Sequence, residues 1–187
     1  KPTSAEAIAE LKAMGITPML LTGDNQAVAT RVAAEVGIAP EDVIAGVLPS
    51  EKAEAIAGLQ AEGRRVAMVG DGVNDAPALA AADLGIAIGA GTDVAIETAD
   101  VVLMRSDPLD VPIALAIGKG TVRKMRQNLG WAVGYNAIAL PIAAGLLMPA
   151  FGLMLRPEIA ALTMSGSSFL VAMNALLLKR LRLPVQS

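Results

Sequence analysis

Two hydrophobic patterns divide the chain. From residue 1 to about residue 110, apolar runs are short and charges recur every few residues. After Arg126 no charge appears until Arg156, and after Glu158 none until Lys179. Each gap holds roughly the 20 apolar residues that a membrane-crossing helix needs. The pattern therefore predicts spans at Trp131–Met148 and Ile159–Leu178, with Pro149, Gly152 and Pro157 marking a short connection. The bland alternative is a pair of buried helices in a soluble protein, which rarely go uncharged for so long. Lys119, Arg123, Lys124 and Arg126 precede the first span, and Lys179, Arg180 and Arg182 follow the second. Only Arg156 lies between them, so the positive-inside rule puts both ends in the cytoplasm.

The first pattern reads as alternating helix and strand. Helices are expected at Ala5–Met14, from the Asn25 cap to Val36, at Ser50–Glu62, Asp75–Ala82 and Thr92–Thr98. Gly15 and Gly37 stand where helices stop. Strands are expected at Ile16–Leu21, Val43–Ala45, Arg65–Val69, Leu84–Ile88 and Val101–Met104. Such alternation implies an α/β fold with a parallel sheet covered on both faces. Ligands of such sheets bind at the carboxyl ends of the strands. Leu109–Asn128 should be a helix leading to the first span, weakened locally by Gly118 and Gly120.

Composition removes several function classes. With no Cys and no His, disulfides, thiolate sites, imidazole zinc sites and Ser-His-Asp triads are excluded within these 187 residues. A net charge of −3 and 2% aromatic residues exclude a nucleic-acid partner. The chain opens at Lys1, without an initiator Met, directly into a helical pattern, and reads as a piece of something longer.

Three segments could carry chemistry. Thr22-Gly23-Asp24-Asn25 joins an apolar strand to a helix, where a hydroxyl and free backbone N–H groups suit an anion. Taken alone, it is also an ordinary turn and cap. Gly70-Asp71-Gly72-Val73-Asn74-Asp75-Ala76-Pro77-Ala78-Leu79 follows the strand Val66–Val69 and is far more specific. Its two carboxylates, four residues apart at a glycine-rich strand exit, suit Mg²⁺, which takes one or two carboxylates plus phosphate oxygens and water. Lys52 is in isolation a surface lysine at a helix start, but beside phosphate-type loops it could neutralise a phosphoryl group.

Together these segments resemble the phosphorylation domain of the P-type ATPases, within the haloacid dehalogenase superfamily. The resemblance covers essentially the whole chain. It implies a Rossmann-like parallel sheet of that type, incomplete here, followed by a two-helix transmembrane hairpin. It also implies that Thr22, Gly23 and Asp24 hold the phosphoryl group and that Lys52 pairs with its oxygens. Asp71 would ligate Mg²⁺, with Asp75 as a weaker ligand, and Asn74 and Asp75 would support the phosphate and the lysine. The family's Asp-Lys-Thr-Gly segment, with its phosphorylated aspartate, is missing, since no Asp-Lys pair occurs anywhere. The nucleotide-binding domain that binds most of the ATP, the actuator domain and the earlier spans are missing too. The chain is thus expected to be a C-terminal part of a pump, unable to hydrolyse ATP unaided.

Polar residues inside an apolar helix are costly and suggest function. The first expected span carries Tyr135 and Asn136, and the second carries Met164, Ser165, Ser167, Ser168 and Asn174. Thioether, phenol, amide and hydroxyl suit a soft ion of low charge such as Cu(I). Their bland reading is helix packing. Tyr-Asn followed by Met-x-x-Ser-Ser resembles the copper(I)-transporting, heavy-metal branch of the P-type ATPases. That resemblance puts the transported Cu(I) or Ag(I) on Tyr135, Asn136, Met164 and Ser168. The Lys and Asp that zinc and cadmium members place in these spans are absent. The Cys-Pro-x motif of an earlier span also lies outside this chain.

The expected organisation is then a distal phosphorylation domain at 1–110 and a linking helix at 111–130. Membrane helices at 131–149 and 158–178 would flank an extracytoplasmic loop at 150–157, and 179–187 would be a cytoplasmic tail. The implied function is ATP-driven export of Cu(I) or Ag(I) across a membrane, expected to be a bacterial cell membrane. The implied partners are the rest of the pump, the lipid bilayer and a copper chaperone. Three alternatives stand beside it: a non-catalytic metal- or partner-binding module, a membrane-anchored phosphatase of the same superfamily, and a pump for Zn, Cd or Co.

Overall fold

Alternating β-prone and helix-prone segments become parallel strands with helical crossovers because parallel neighbours can be joined only by a long return. In the computed structural model, which describes residues 1–71, 73–89, 97–152 and 157–180, the chain divides into two units, Lys1–Ala114 and Leu115–Ser187. In the first unit, α1 (Ser4–Ala13) precedes β1 (Leu20–Leu21), α2 (Gln26–Val36), β2 (Val43–Ile44) and α3 (Lys52–Ala61). These are followed by β3 (Ala67–Gly70), α4 (Ala76–Ala81), β4 (Leu84–Ile88) and β5 (Val101–Leu103).

The strands form two parallel sheets where the pattern predicts one. In the first, Leu20 pairs with Val43 and Leu21 with Ile44. The second has the order β3-β4-β5, with Ala67 opposite Leu84 and Ile86 opposite Val101. Among the described residues, each of β1 and β3 is bonded along one edge only, and the two sheets are separate. Two long-range contacts bridge them. Arg64, ahead of β3, donates to Met19 Sδ, ahead of β1, at 3.8 Å. Beyond the opposite ends of these strands, Lys52 bonds Asp75.

Local chemistry explains the helices. Asn25 has extended backbone, and its side-chain oxygen accepts the Val28 N–H at 3.0 Å, capping α2. Gly37 closes α2 at φ +83°, which favours a residue without Cβ. Pro77 sits in the first turn of α4, where no N–H partner is lost. The core is built from small residues as well as large ones: Ala29, Ala33, Ala78 and Ala87 are buried beside Ile56, Leu79 and Ile86. Burying each of the three large side chains stabilises by about 1.5–3 kcal/mol. Leu79 and Ala87 form a cluster against which Met68, Ala99 and Val102 pack. A Cβ at Gly85 would lie 2.7 Å from the Leu79 carbonyl oxygen, so α4 rests directly on the backbone of β4.

In the second unit lie the greater part of α5 (Asp110–Ala143), α6 (Met148–Phe151) and α7 (Pro157–Leu176). The expected linking helix and the start of the first expected span are one helix, unbroken through Gly118 and Gly120. It ends two residues past Pro141, short of the expected Met148. Half-buried positions on α5 recur in three- and four-residue steps through Lys124, Asn128, Tyr135 and Ala139. On α7 they recur at Ser167, Val171 and Asn174. Large apolar side chains elsewhere on these helices, such as Leu129, Trp131, Ile138, Leu162 and Phe169, point outward.

Among the described residues, no helix is long and apolar enough to cross a membrane. Only 13 residues of α5, Trp131–Ala143, lie past its last polar turn, and these include Gly134, Asn136 and Pro141. The expected helix Thr92–Thr98 lies mostly outside the described residues, with Glu97 and Thr98 helical. Arg156 in the connection lies outside them as well.

Asp83, just before β4, ties the start of β4 to the start of β3 and to α3. It accepts from the Val66 N–H at 2.9 Å and the Gln60 amide at 3.1 Å, and it pairs with Arg65 at 3.3 Å. Those donors, the Val66 N–H first, hold its carboxyl below the ordinary value of 3.8. A carboxyl lowered on folding contributes stability above its unfolded value and loses it as pH falls through the folded one. Asp83→Ala should therefore lower the thermal midpoint at neutral pH, with the gap to wild type closing below pH 3.8. A gap that persists unchanged into acid, followed by calorimetry, would show that the tie does not act through charge.

Candidate functional site

The site is built where two strands run out. Beyond β1, Thr22 donates its N–H to the Ile44 carbonyl at 3.0 Å, and its own carbonyl accepts from Val47 at 3.2 Å. The Gly46 N–H reaches the Asp24 carbonyl at 2.8 Å. The Thr22-Gly23-Asp24 loop is therefore knitted to the exit of β2. Within it, Thr22 Oγ1 accepts from the Asp24 N–H and donates to Asp24 Oδ2, both at 3.2 Å. A Cβ on Gly23 would meet the Val47 carbonyl at 3.3 Å, so the loop lies close against that backbone.

Beyond β3, Asp71 is exposed and Asn74 is exposed. Asp75 ends a 3₁₀ turn at Val73–Asp75 and stands immediately before α4. Its carboxylate takes the Lys52 ammonium at 2.6 Å, with side-chain exposures of 16% for Lys52 and 14% for Asp75. Lys52 opens α3, and the N-terminal end of a helix disfavours a cation. Asp75 offsets that cost and holds the ammonium in one place. Gly70 is the cradle: a Cβ there would lie 2.7 Å from Asp75 Cβ and 2.8 Å from its Oδ2. Its neighbours Asp71 and Gly72 drew more notice in the sequence, although the Gly-Asp-Gly spacing did signal a close backbone approach.

The structure thus joins Lys52 to Asp75 and Thr22 to Asp24, and brings Asp71 and Asn74 to the same turn as Asp75. No hydrogen bond links the first loop to the second among the described residues. A ligand with several acceptor oxygens fits that arrangement, because it can take donors from both loops. Mg²⁺ fits as well. No group of three or more acidic side chains exists among the described residues, and Mg²⁺ is held by few protein carboxylates, with water and phosphate oxygens completing it. Asp71 supplies the exposed carboxylate, and Asp75 is already committed to Lys52.

The second candidate group lies in the other unit. Tyr135 is half-buried, whereas Asn136, Met164 and Ser168 are exposed. No hydrogen bond joins Asn136 to Ser168 among the described residues. Polar contacts occur instead around Asn174, one of the polar residues noted in the second expected span. Its amide oxygen accepts from Lys124 at 2.9 Å, and its NH₂ donates to Asn128 at 2.7 Å and to Gln127 at 3.4 Å.

Comparison with known proteins follows this geometry. Residues 1–83 match the model of haloacid dehalogenase-like hydrolases. Copper-exporting P-type ATPase B of Archaeoglobus fulgidus is 57% identical over 96% of this chain and 25% of its own length. The copper-exporting P-type ATPase of Vibrio cholerae is 53% identical over 94% of this chain and 19% of its own. Its homologues are copper-exporting P-type ATPases. The crystal structure of a zinc-transporting PIB-type ATPase in the E2P state superposes with a TM-score of 0.81 at 38% identity, over 95% of this chain and 28% of that one. The α/β unit therefore has a haloacid dehalogenase-like fold with parallel sheets. The chain spans a quarter or less of the length of these curated relatives.

Lys52→Met should leave the Asp75 carboxylate without its cation and destabilise α3 and α4 locally by about 3 kcal/mol. Gly70→Ala should loosen the same helices without removing a charge. Hydrogen exchange of the α3 and α4 amides reads both. Unchanged protection in either variant would mean that the pair and its cradle do not hold these elements.

Proposed function

We propose that this chain is a segment of an ATP-driven pump that exports a soft monovalent metal ion, Cu(I) or Ag(I), through an aspartyl-phosphate intermediate. The observation that carries the reading is the Lys52–Asp75 pair at the strand exits, beside the exposed Asp71 and across from the Thr22 loop. Lys52 keeps N–H donors free for phosphoryl oxygens while Asp75 fixes its position. Thr22 adds a hydroxyl, and the backbone N–H groups of its loop add further dipoles. All act by charge and position, as phosphoryl transfer requires. Asp71 would hold Mg²⁺, which when bound neutralises charge on the phosphoryl oxygens. Asn74 supports the same group from the turn.

The aspartate itself would come from a part of the pump outside this sequence. The one-sided pairing of β1 and β3 supports this. A strand inserted between them would satisfy both open edges and deliver a residue at its end to Thr22, Lys52 and Asp71. We further propose the boundaries at 1–110, 111–130, 131–149, 150–157, 158–178 and 179–187, with the last two helices in a bilayer. The outward apolar side chains of α5 and α7 favour such surroundings over water. Copper relatives at 57% and 53% identity favour the soft-ion assignment over zinc. Tyr135, Asn136, Met164 and Ser168 would contact the ion, and a copper chaperone would deliver it.

The test is ATPase activity of the complete pump with Cu(I), Ag(I), Zn²⁺, Cd²⁺ or Co²⁺. Stimulation is expected from the monovalent ions alone and should be lost in Met164→Ala. Asp71→Ala should reduce turnover by about a hundredfold or more. Stimulation by a divalent ion would discard the soft-ion reading, and normal turnover in Asp71→Ala would discard the Mg²⁺ ligand.

A further inference from the structure

The contacts of Asn174 suggest a role in setting helix register. Lys124 and Asn128 are four residues apart and share a face of α5, and Asn174 faces both of them from α7. The side chain is used at both ends: its oxygen accepts from a cation and its nitrogen donates to an amide. A one-turn slip of α7 along α5, about 5.4 Å, would break every one of these bonds. All three residues are half-buried, where an unmade polar contact is costly.

Helix rise turns this clamp into a ruler. The two helices run in opposite directions from it, since Asn128 and Asn174 meet while the chain between them returns through α6. At 1.5 Å per residue, Tyr135 and Asn136 lie about 10.5 and 12 Å from Asn128 along α5. On α7, Ser168 and Met164 lie about 9 and 15 Å from Asn174 in the same sense. Met164 and Ser168 therefore bracket the level of Asn136, about 3 Å to either side. Direction agrees with level. Tyr135 and Ser167 lie on the half-buried faces. Asn136 and Ser168 each come one residue later, a step of about 100°. On antiparallel helices that step turns toward the same flank of the pair.

We propose that Asn174, with Lys124 and Asn128, is a positioning clamp that sets the register of α7 against α5 and so brings Asn136, Met164 and Ser168 to one level. The proposal rests on the reading of those residues as ion ligands. Asn174 does not touch the ion; it acts through the helix that carries Met164 and Ser168.

The experiment uses the complete pump and Asn174→Leu, with Asn128→Leu as a second variant approaching the clamp from the other helix. Register is read by disulfide formation between Ala132→Cys and Val171→Cys, which the clamp places within about one residue of the same level. Function is read as the Cu(I) concentration for half-maximal ATPase and, separately, as metal-free phosphorylation from inorganic phosphate. The expected result is loss of the 132–171 cross-link and gain of one between Ala132→Cys and Ser167→Cys. The half-maximal Cu(I) concentration should rise about tenfold or more, with phosphorylation from phosphate unchanged. An unaltered cross-linking pattern in both variants overturns the clamp. A shifted pattern with unchanged Cu(I) dependence upholds the clamp and overturns the ligand reading on which it was built.

Discussion

The α/β unit depends on one ion pair. Lys52 begins the helix after β2, and Asp75 ends the turn after β3, so their 2.6 Å contact ties the exit of one sheet to the exit of the other. Without it, little beyond the Arg64–Met19 contact and the α3–α4 packing would register the two sheets. The same pair fixes the position of Lys52 at the candidate site. A lysine at a helix N-terminus is poorly placed electrostatically, and the aspartate that corrects this also aims it. Fold and site therefore share one interaction, and Gly70 belongs to both because its missing Cβ is the space that Asp75 fills.

The helical unit is organised differently. It has no comparable buried charge pair among its described residues, and its large apolar side chains face outward. Specific order there comes from the directional bonds of Asn174 to Lys124 and Asn128. Between helices whose surfaces are nearly uniform in polarity, an amide that both accepts and donates distinguishes one register from its neighbours where apolar contact cannot.

The legible parts of the sequence were those with short-range causes. The Asn25 cap, the Gly37 stop and the alternation of strand and helix follow from residues within a turn or two. Thr22, Lys52, Asp71 and Asp75 stood out because their residue types and spacing suit a phosphate, and the structure places all four beyond strand ends. The separation into two sheets was less legible, because a strand's edge is satisfied or left open by residues far away in the chain. The expected membrane spans rest on the lack of charge, and among the described residues no helix is long and apolar enough to cross a membrane. The end of α5 two residues past Pro141 shortens the first of these apolar helices, which no charge pattern announces. The Asn174 contacts join residues 46 and 50 positions apart, which no local pattern announces.

Gly85 is the second residue of β4 and belongs to neither candidate loop, yet α4 leans on it with the Leu79 carbonyl 2.7 Å from where a Cβ would stand. Because α4 starts directly after Asp75, its seating on β4 fixes where that carboxylate points. In a saturation mutagenesis screen, Gly85 would therefore cluster with the lysine and the aspartates, although it is remote from the chemistry. A tolerance map of this segment would trace the footprint of α4 on its sheet, not a sphere drawn around the candidate site.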